Sequence, residues 1–236
     1  MQRHSDTDTF YSLLAKLESA VGGTRRLGDC HGRMVWPERG VYFIFEPHEY
    51  RSNDQTTLRV VRIGTHALTD GSRTTIWQRL SQHRGSMRSG GGNHRGSIFR
   101  LLIGEALMQK NTEWTTSSWG QGSSAAGEIR ELEKEHEIRV SDYVADMEIL
   151  FLPIPDAASP GSLRSVIERN SIALLSNYLT PSPDQPSTSW LGHHSGRDRV
   201  RQSGLWNNRH VDEKYDPLFL ATLEQLITQT SSCRIA

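Results

Sequence analysis

The sequence predicts an α+β fold: a small three-stranded antiparallel sheet flanked by helices, with a helical insertion and a C-terminal extension. Three observations predict it. Two short β-branched and aromatic runs, residues 40–45 and 58–64, are separated by the turn-forming Arg51-Ser52-Asn53-Asp54 and read as a hairpin. A third run, residues 147–152, is stopped by Pro153 and Pro155. Elsewhere, apolar residues recur mainly at the spacing of amphipathic helices.

The first helix is expected over residues 9–21, where Phe10, Leu13, Leu14, Leu17 and Val21 fall on one face before Gly22-Gly23. After the hairpin, residues 74–83 read as a helix, 86–96 as a Gly/Ser/Arg loop, and 97–110 as a second helix carrying Ile98, Leu101, Leu102 and Leu107. Residues 111–127 are polar and read as a loop, and 128–140 form an acidic helix. Ser159-Pro160 supplies a capping hydroxyl and a proline at the first helical position, so the next helix is placed from there to about residue 178. Pro181, Pro183 and Pro186 stop it, an irregular stretch with Trp190 and Trp206 follows, and a closing helix spans about 216–228. The resulting division is an N-terminal helix and linker (1–35), a core (36–181) interrupted by an insertion at about 84–146, and an extension (182–236) packed on the core.

Composition narrows the function. Charged residues make up 23% and hydrophobic ones 35% of the 236, with a mean hydropathy of −0.56, as in a soluble globular protein. No apolar run approaches the ~18 residues of a membrane span, and the polar N-terminus lacks a signal-peptide core. A cytoplasmic location and no membrane partner are therefore expected. Cys30 and Cys233 alone exclude a disulfide framework or cysteine-rich zinc site, and both thiols are expected to be free. Formal net charge is zero, yet residues 51–100 hold nine arginines against Asp54 and Asp70, while 113–148 hold nine acids against three basic residues. The basic half suits phosphate contacts, because a guanidinium fork matches phosphate oxygens. The same pattern also fits charges that cancel across the folded surface.

The chemistry gathers at the glycine-flanked strands. Tyr42 opens one strand, Arg62 closes the next, Arg79 and His83 share a helix face at i and i+4, and Glu168 lies beside a buried stripe on a later helix. An acid so placed is either paired with an arginine, Arg164 one turn earlier being the local candidate, or free to hold a cation. Such a set can supply a base for water, cations for a phosphorane-like state and a metal ligand.

In order and spacing these pieces resemble the GIY-YIG nuclease superfamily. Gly40-Val41-Tyr42 looks like the first signature, Arg62-Ile63-Gly64-Thr65 the second, Gln78-Arg79-Leu80 with His83 the helix that follows, and Glu168 the glutamate on a helix after the third strand. The resemblance implies a divalent-metal-dependent DNA endonuclease, with Mg²⁺ or Mn²⁺ held by Glu168. It places Tyr42, Arg62, Arg79, His83 and Glu168 in the catalytic site, with His83 in a position where restriction-enzyme-like members carry a polar partner. A role in restriction or defence, double-stranded DNA as partner, and a homodimer if both strands are cut extend the same analogy. Arg62 stands where the family usually has tyrosine, and Thr180 where an asparagine is expected, with Asn177 nearby.

Arg84, Arg88 and Arg95 border or lie in the Gly/Ser loop and are candidates for nucleic-acid binding, since flexible chain lets guanidinium groups follow a phosphate backbone. Arg197, Arg199, Arg201 and Arg209 face either DNA or the protein's own acids. His193, His194, Asn207 and His210 invite comparison with an HNH-type metal site, although no strand-turn-helix frame surrounds them. The rival to an enzyme, motivated by Arg62, is a catalytically degenerate nucleic-acid-binding or assembly protein on the same scaffold.

Overall fold

The computed structural model describes residues 2–86 and 88–232, with side chains through 230, so Cys233 lies outside the described residues. Helix α1 (Gln2–Val21) buries the expected stripe together with Tyr11. It begins seven residues earlier than the periodicity indicates, because Arg3 donates to the Leu174 carbonyl at 2.9 Å and the Thr180 carbonyl at 2.8 Å, holding the polar first turns down.

The sheet has four strands where three were expected. Its order is β1 (Arg25–Arg26), β4 (Glu148–Pro153), β2 (Gly40–Arg51) and β3 (Asp54–Gly64), antiparallel throughout. The extra strand is two arginines with no strand propensity of their own; it forms because the chain leaving α1 passes the free edge of β4. The hairpin runs longer than its apolar runs, and irregular pairing beyond Ile44 carries β2 through Pro47 to Arg51. Tyr42 lies opposite Gly64 on one side and Phe151 on the other.

Helices α2 (Ile76–Arg84) and α3 (Ile98–Lys110) match expectation, each with a local start signal: a Thr75–Gln78 capping box and the Ser97 hydroxyl. Helix α4 (Gly127–Ala145) runs five residues further than its acidic pattern. Helix α5 (Leu163–Leu175) is capped by Ser162 rather than Ser159, whose hydroxyl closes a turn onto Gly161. A short α6 (Asp198–Ser203) interrupts the extension, and α7 (Phe219–Ser232) closes the chain against α1.

The insertion and the extension are both tied to the core. Arg95 grips Glu133 through two hydrogen bonds of 2.5 and 2.8 Å, Arg100 pairs with Glu137, and Glu137 also accepts from His94. Part of the basic–acidic segregation in the sequence is therefore neutralised internally, one half against the other. In the extension, Trp190 and Trp206 are fully buried and both donate their indole N–H to Glu46 Oε2, at 3.2 and 3.0 Å. Trp206 N–H donates to the Val61 carbonyl at 2.7 Å, and the Asn207 side chain both accepts from Ile63 N (3.1 Å) and donates to its carbonyl (2.8 Å). Asn207 thus stands in for a strand residue and seals the edge of β3. Among the described residues no helix is long and apolar enough to cross a membrane.

Candidate active site

Both signature glycines are steric requirements. A Cβ on Gly40 would lie 2.4 Å from the Leu152 carbonyl oxygen, and one on Gly64 would lie 2.3 Å from the Tyr42 hydroxyl. The missing side chain of Gly64 is the slot into which the tyrosine ring lies. The fully buried Tyr42 is thereby aimed at α2, where its hydroxyl meets His83 Nε2 at 2.7 Å. His83 Nδ1 in turn meets the Ser97 hydroxyl, also at 2.7 Å. Burial, with Arg79, Arg62 and Arg100 nearby, pushes the His83 imidazole well below its ordinary value, so it is neutral at physiological pH. With one N–H to give, a His83 that donates through Nδ1 to Ser97 leaves Nε2 to accept from the Tyr42 hydroxyl.

Arg62 is also buried. Its Nη1 donates to the Trp206 carbonyl, and its guanidinium lies 4.8 Å from the centre of the Phe99 ring. Burial lowers its pKa, while Tyr42 and Glu168 act to hold the charge. Arg79, one turn before His83, is half-buried and donates to Gln82 Oε1 (3.0 Å) and the Gly96 carbonyl (3.2 Å).

Glu168 is half-buried and is not the partner of Arg164. Arg164 is occupied by Asp156 and the carbonyls of His66 and Ala67, which fixes the loop after β3. That loop presents the Thr65 N–H to Glu168 Oε1 at 3.1 Å, while Thr65 Oγ1 donates to the Gly40 carbonyl at 2.8 Å. Among the described residues Glu168 Oε2 receives no hydrogen bond. Burial raises the Glu168 pKa, against the pull of Arg62, His210 and Arg79.

Tyr42, Arg62, Arg79 and Glu168 line one cavity of about 480 Å³, and His83 stands directly behind Tyr42. Asn207, Asn208, Arg209 and His210 of the extension line the same cavity. Sequence reasoning gave no cleft role to Thr65, Ser97, Asn208 or Arg209. Only the threonine has a signal, adjoining the second signature.

Other candidates fall elsewhere. Arg84 donates to the Cys30 carbonyl and lies 5.2 Å over Trp77, and Arg95, with 4% of its side chain exposed, is spent on Glu133; neither reaches the cavity. Arg88 is exposed. Arg197, Arg199 and Arg201 pair with Glu105, Asp212 and Asp198, whereas among the described residues Arg209 makes no side-chain hydrogen bond or ion pair. Asn177 braces the extension, donating to the Ser203 carbonyl at 3.1 Å. The HNH-like set is dispersed: His193 is bonded to the Ser187 carbonyl, Asn207 to Ile63 and His210 to Glu213. Among the described residues no three His, Cys, Asp or Glu side chains are grouped as a metal cage.

A glycine-slotted tyrosine on the central hairpin, a helix bearing arginine and histidine, and a glutamate on a later helix define an α+β domain of nuclease type. The sequence profile of the GIY-YIG domain matches residues 1–233, and the chain belongs to that family. No curated protein and no solved structure matches it significantly.

Proposed function

We propose that the protein is a divalent-metal-dependent endonuclease acting on double-stranded DNA. One observation carries this reading: Glu168, with one carboxylate oxygen that has no hydrogen-bond partner among the described residues, lines the same cavity as Tyr42, Arg62 and Arg79. Mg²⁺ keeps most of its waters and is commonly held by one or two carboxylates plus substrate phosphate, so a single glutamate in a polar cleft fits it where a multi-ligand cage is not needed. Glu168 would hold the ion, which when bound would supply positive charge to the phosphate oxygens.

The chain's own groups have separable roles. Tyr42 is the acceptor for a proton from the attacking water, and neutral His83 is placed to take the phenol's proton in turn. Ser97 fixes the imidazole tautomer. Arg62, in place of the second signature tyrosine, contributes a fixed cation next to Tyr42, and Arg79 contributes a second one at the cavity mouth. Among the described residues neither arginine forms an ion pair with a carboxylate.

The test is cleavage of supercoiled plasmid and of a mixed linear DNA pool with Mg²⁺ or Mn²⁺ against EDTA. Ion-dependent cleavage is expected, with a loss of about a hundredfold or more in Glu168→Ala and Tyr42→Phe, the scale of a lost acid–base or ion-holding group. Salt-sensitive DNA binding without cleavage under either ion would instead establish the degenerate binding scaffold.

A further inference from the structure

The extension brings one more titratable group to the cleft. His210 lines the cavity with Tyr42, Arg62, Arg79 and Glu168, and it comes from the extension. Its backbone has φ +63°, a left-handed conformation that a histidine adopts at some cost and that concentrates at functional sites. Its Nδ1 is held 2.8 Å from Glu213 Oε1, while Nε2 has no hydrogen-bond partner among the described residues. Glu213 is itself gripped by Arg169, the residue after Glu168, so the histidine is anchored to the helix that carries the glutamate. The charged groups around the imidazole are Glu213, which Arg169 holds, the neighbouring Arg209, and Glu168, Arg62 and Arg79 in the lining of the same cavity. No hydrogen bond joins His210 to Glu168.

We propose that His210 is a further catalytic residue, the general acid that protonates the leaving oxygen of the scissile phosphodiester. The inference rests on the nuclease reading above. Water oxygen forms the new bond to phosphorus as the bridging P–O bond breaks. The water's proton passes to Tyr42 on one side, and the departing oxygen takes its proton from His210 Nε2 on the other. A carboxylate on Nδ1 orients the ring, and the imidazolium so held carries on Nε2 the proton that can be given up, the division of labour of an acid–base histidine oriented by an acid. Tyr42 and His210 line one cavity, and in-line displacement would seat the phosphate between them, since attacking and leaving oxygens lie on opposite sides of phosphorus.

The test needs a substrate that leaves without a proton. End-group mapping of wild-type products identifies which bridging oxygen departs, and an oligonucleotide duplex is made with sulfur at that atom. His210→Asn suits the position, because asparagine tolerates the left-handed backbone, and Glu213→Gln is the second variant. On the oxygen substrate His210→Asn is expected to slow single-turnover cleavage by about 10²–10⁴-fold with little change in DNA binding. Glu213→Gln is expected to have a smaller effect in the same direction. On the sulfur substrate both variants should cleave within about tenfold of wild type. Equal losses on both substrates, or none on the oxygen substrate, would overturn the role of His210 while leaving the nuclease standing. A wild type that cuts nothing under either ion would remove both.

Discussion

Gly64→Ala separates a glycine needed for its backbone from one needed for its emptiness. The φ of Gly64 lies outside the left-handed region, so the conformation alone would accept alanine, but the new Cβ would sit 2.3 Å from the Tyr42 hydroxyl and 2.4 Å from its Cζ. Ordinary carbon contacts begin near 3.5 Å, so the overlap is about 1 Å. The ring is fully buried and cannot swing into solvent. A displacement of about 1 Å would take the 2.7 Å bond to His83 past the limit of a hydrogen bond. Overpacking costs about 1–3 kcal/mol and an orphaned buried partner about 1–3 more, together about 2–6 kcal/mol. For a chain of this size that is a fall in Tm of order 5–20 °C. Thermal denaturation and plasmid cleavage of Gly64→Ala, Tyr42→Ala and the double variant close a cycle. With the ring absent, the alanine at 64 should cost less than about 1 kcal/mol, because nothing remains for it to strike. An equal penalty in both backgrounds would refute the slot.

Two further predictions concern charge. Arg95→Ala strands the buried Glu133 and should cost about 3–5 kcal/mol of stability by chemical denaturation. Arg209→Ala should leave stability within about 0.5 kcal/mol but reduce the slope of log K against log salt for DNA binding by about 0.9, one phosphate contact. The reverse assignment would return the DNA-binding role to the Gly/Ser loop. Burial lowers His66 to about 4, so its unfolded form binds a proton first as the pH falls below 6.5. Its stability contribution is complete above pH 6.5 and is lost progressively from there down to about 4. Glu46 and Glu168, raised by burial, act with the opposite sign, so the difference between wild type and His66→Gln isolates the imidazole. Denaturant midpoints should diverge below pH 6.5, with His66→Gln the flatter curve; parallel curves would show that the ring is not held neutral.

The parts of the fold readable from sequence are those that state their physics locally. The hairpin has β-branched runs and a turn, α2 has its capping box, and α1 has its stripe. The first strand was invisible because Arg25-Arg26 pairs only through the accident of lying along β4. The α5 start was misplaced because Ser159-Pro160 and Ser162 are equally good local caps, and only the fold shows which hydroxyl accepts from the helix, here from Ser165 N. In the site, Tyr42, Arg79 and Glu168 were recognisable from their spacing. What they face was not. The pairings Arg95–Glu133 and Arg164–Asp156 took two arginines out of contention for phosphate or Glu168, and the first joins residues 38 apart. No periodic signal marks Asn207 as a surrogate strand residue or His210 as a neighbour of the cleft.

The departure from the second signature and the two additions to the core are one structural solution. A tyrosine at position 62 could satisfy its hydroxyl with a single water, whereas a guanidinium buried there needs acceptors and a face to lie on. Both come from outside the minimal core: the acceptor is the Trp206 carbonyl of the extension, and the face is the Phe99 ring of α3 in the insertion. Trp206 is itself held by Val61 on the same strand and by Glu46 on β2, so the extension that supplies an acceptor to Arg62 Nη1 also seals the β3 edge. Having turned there, the chain has only one residue between the Asn207 anchor and Arg209, and it delivers Arg209 and His210 to the cavity rim. Arginine at 62 thus ties the extension into the site: removing the extension would strand a buried cation beside Tyr42, and the cleft would lose that part of its lining in the same step.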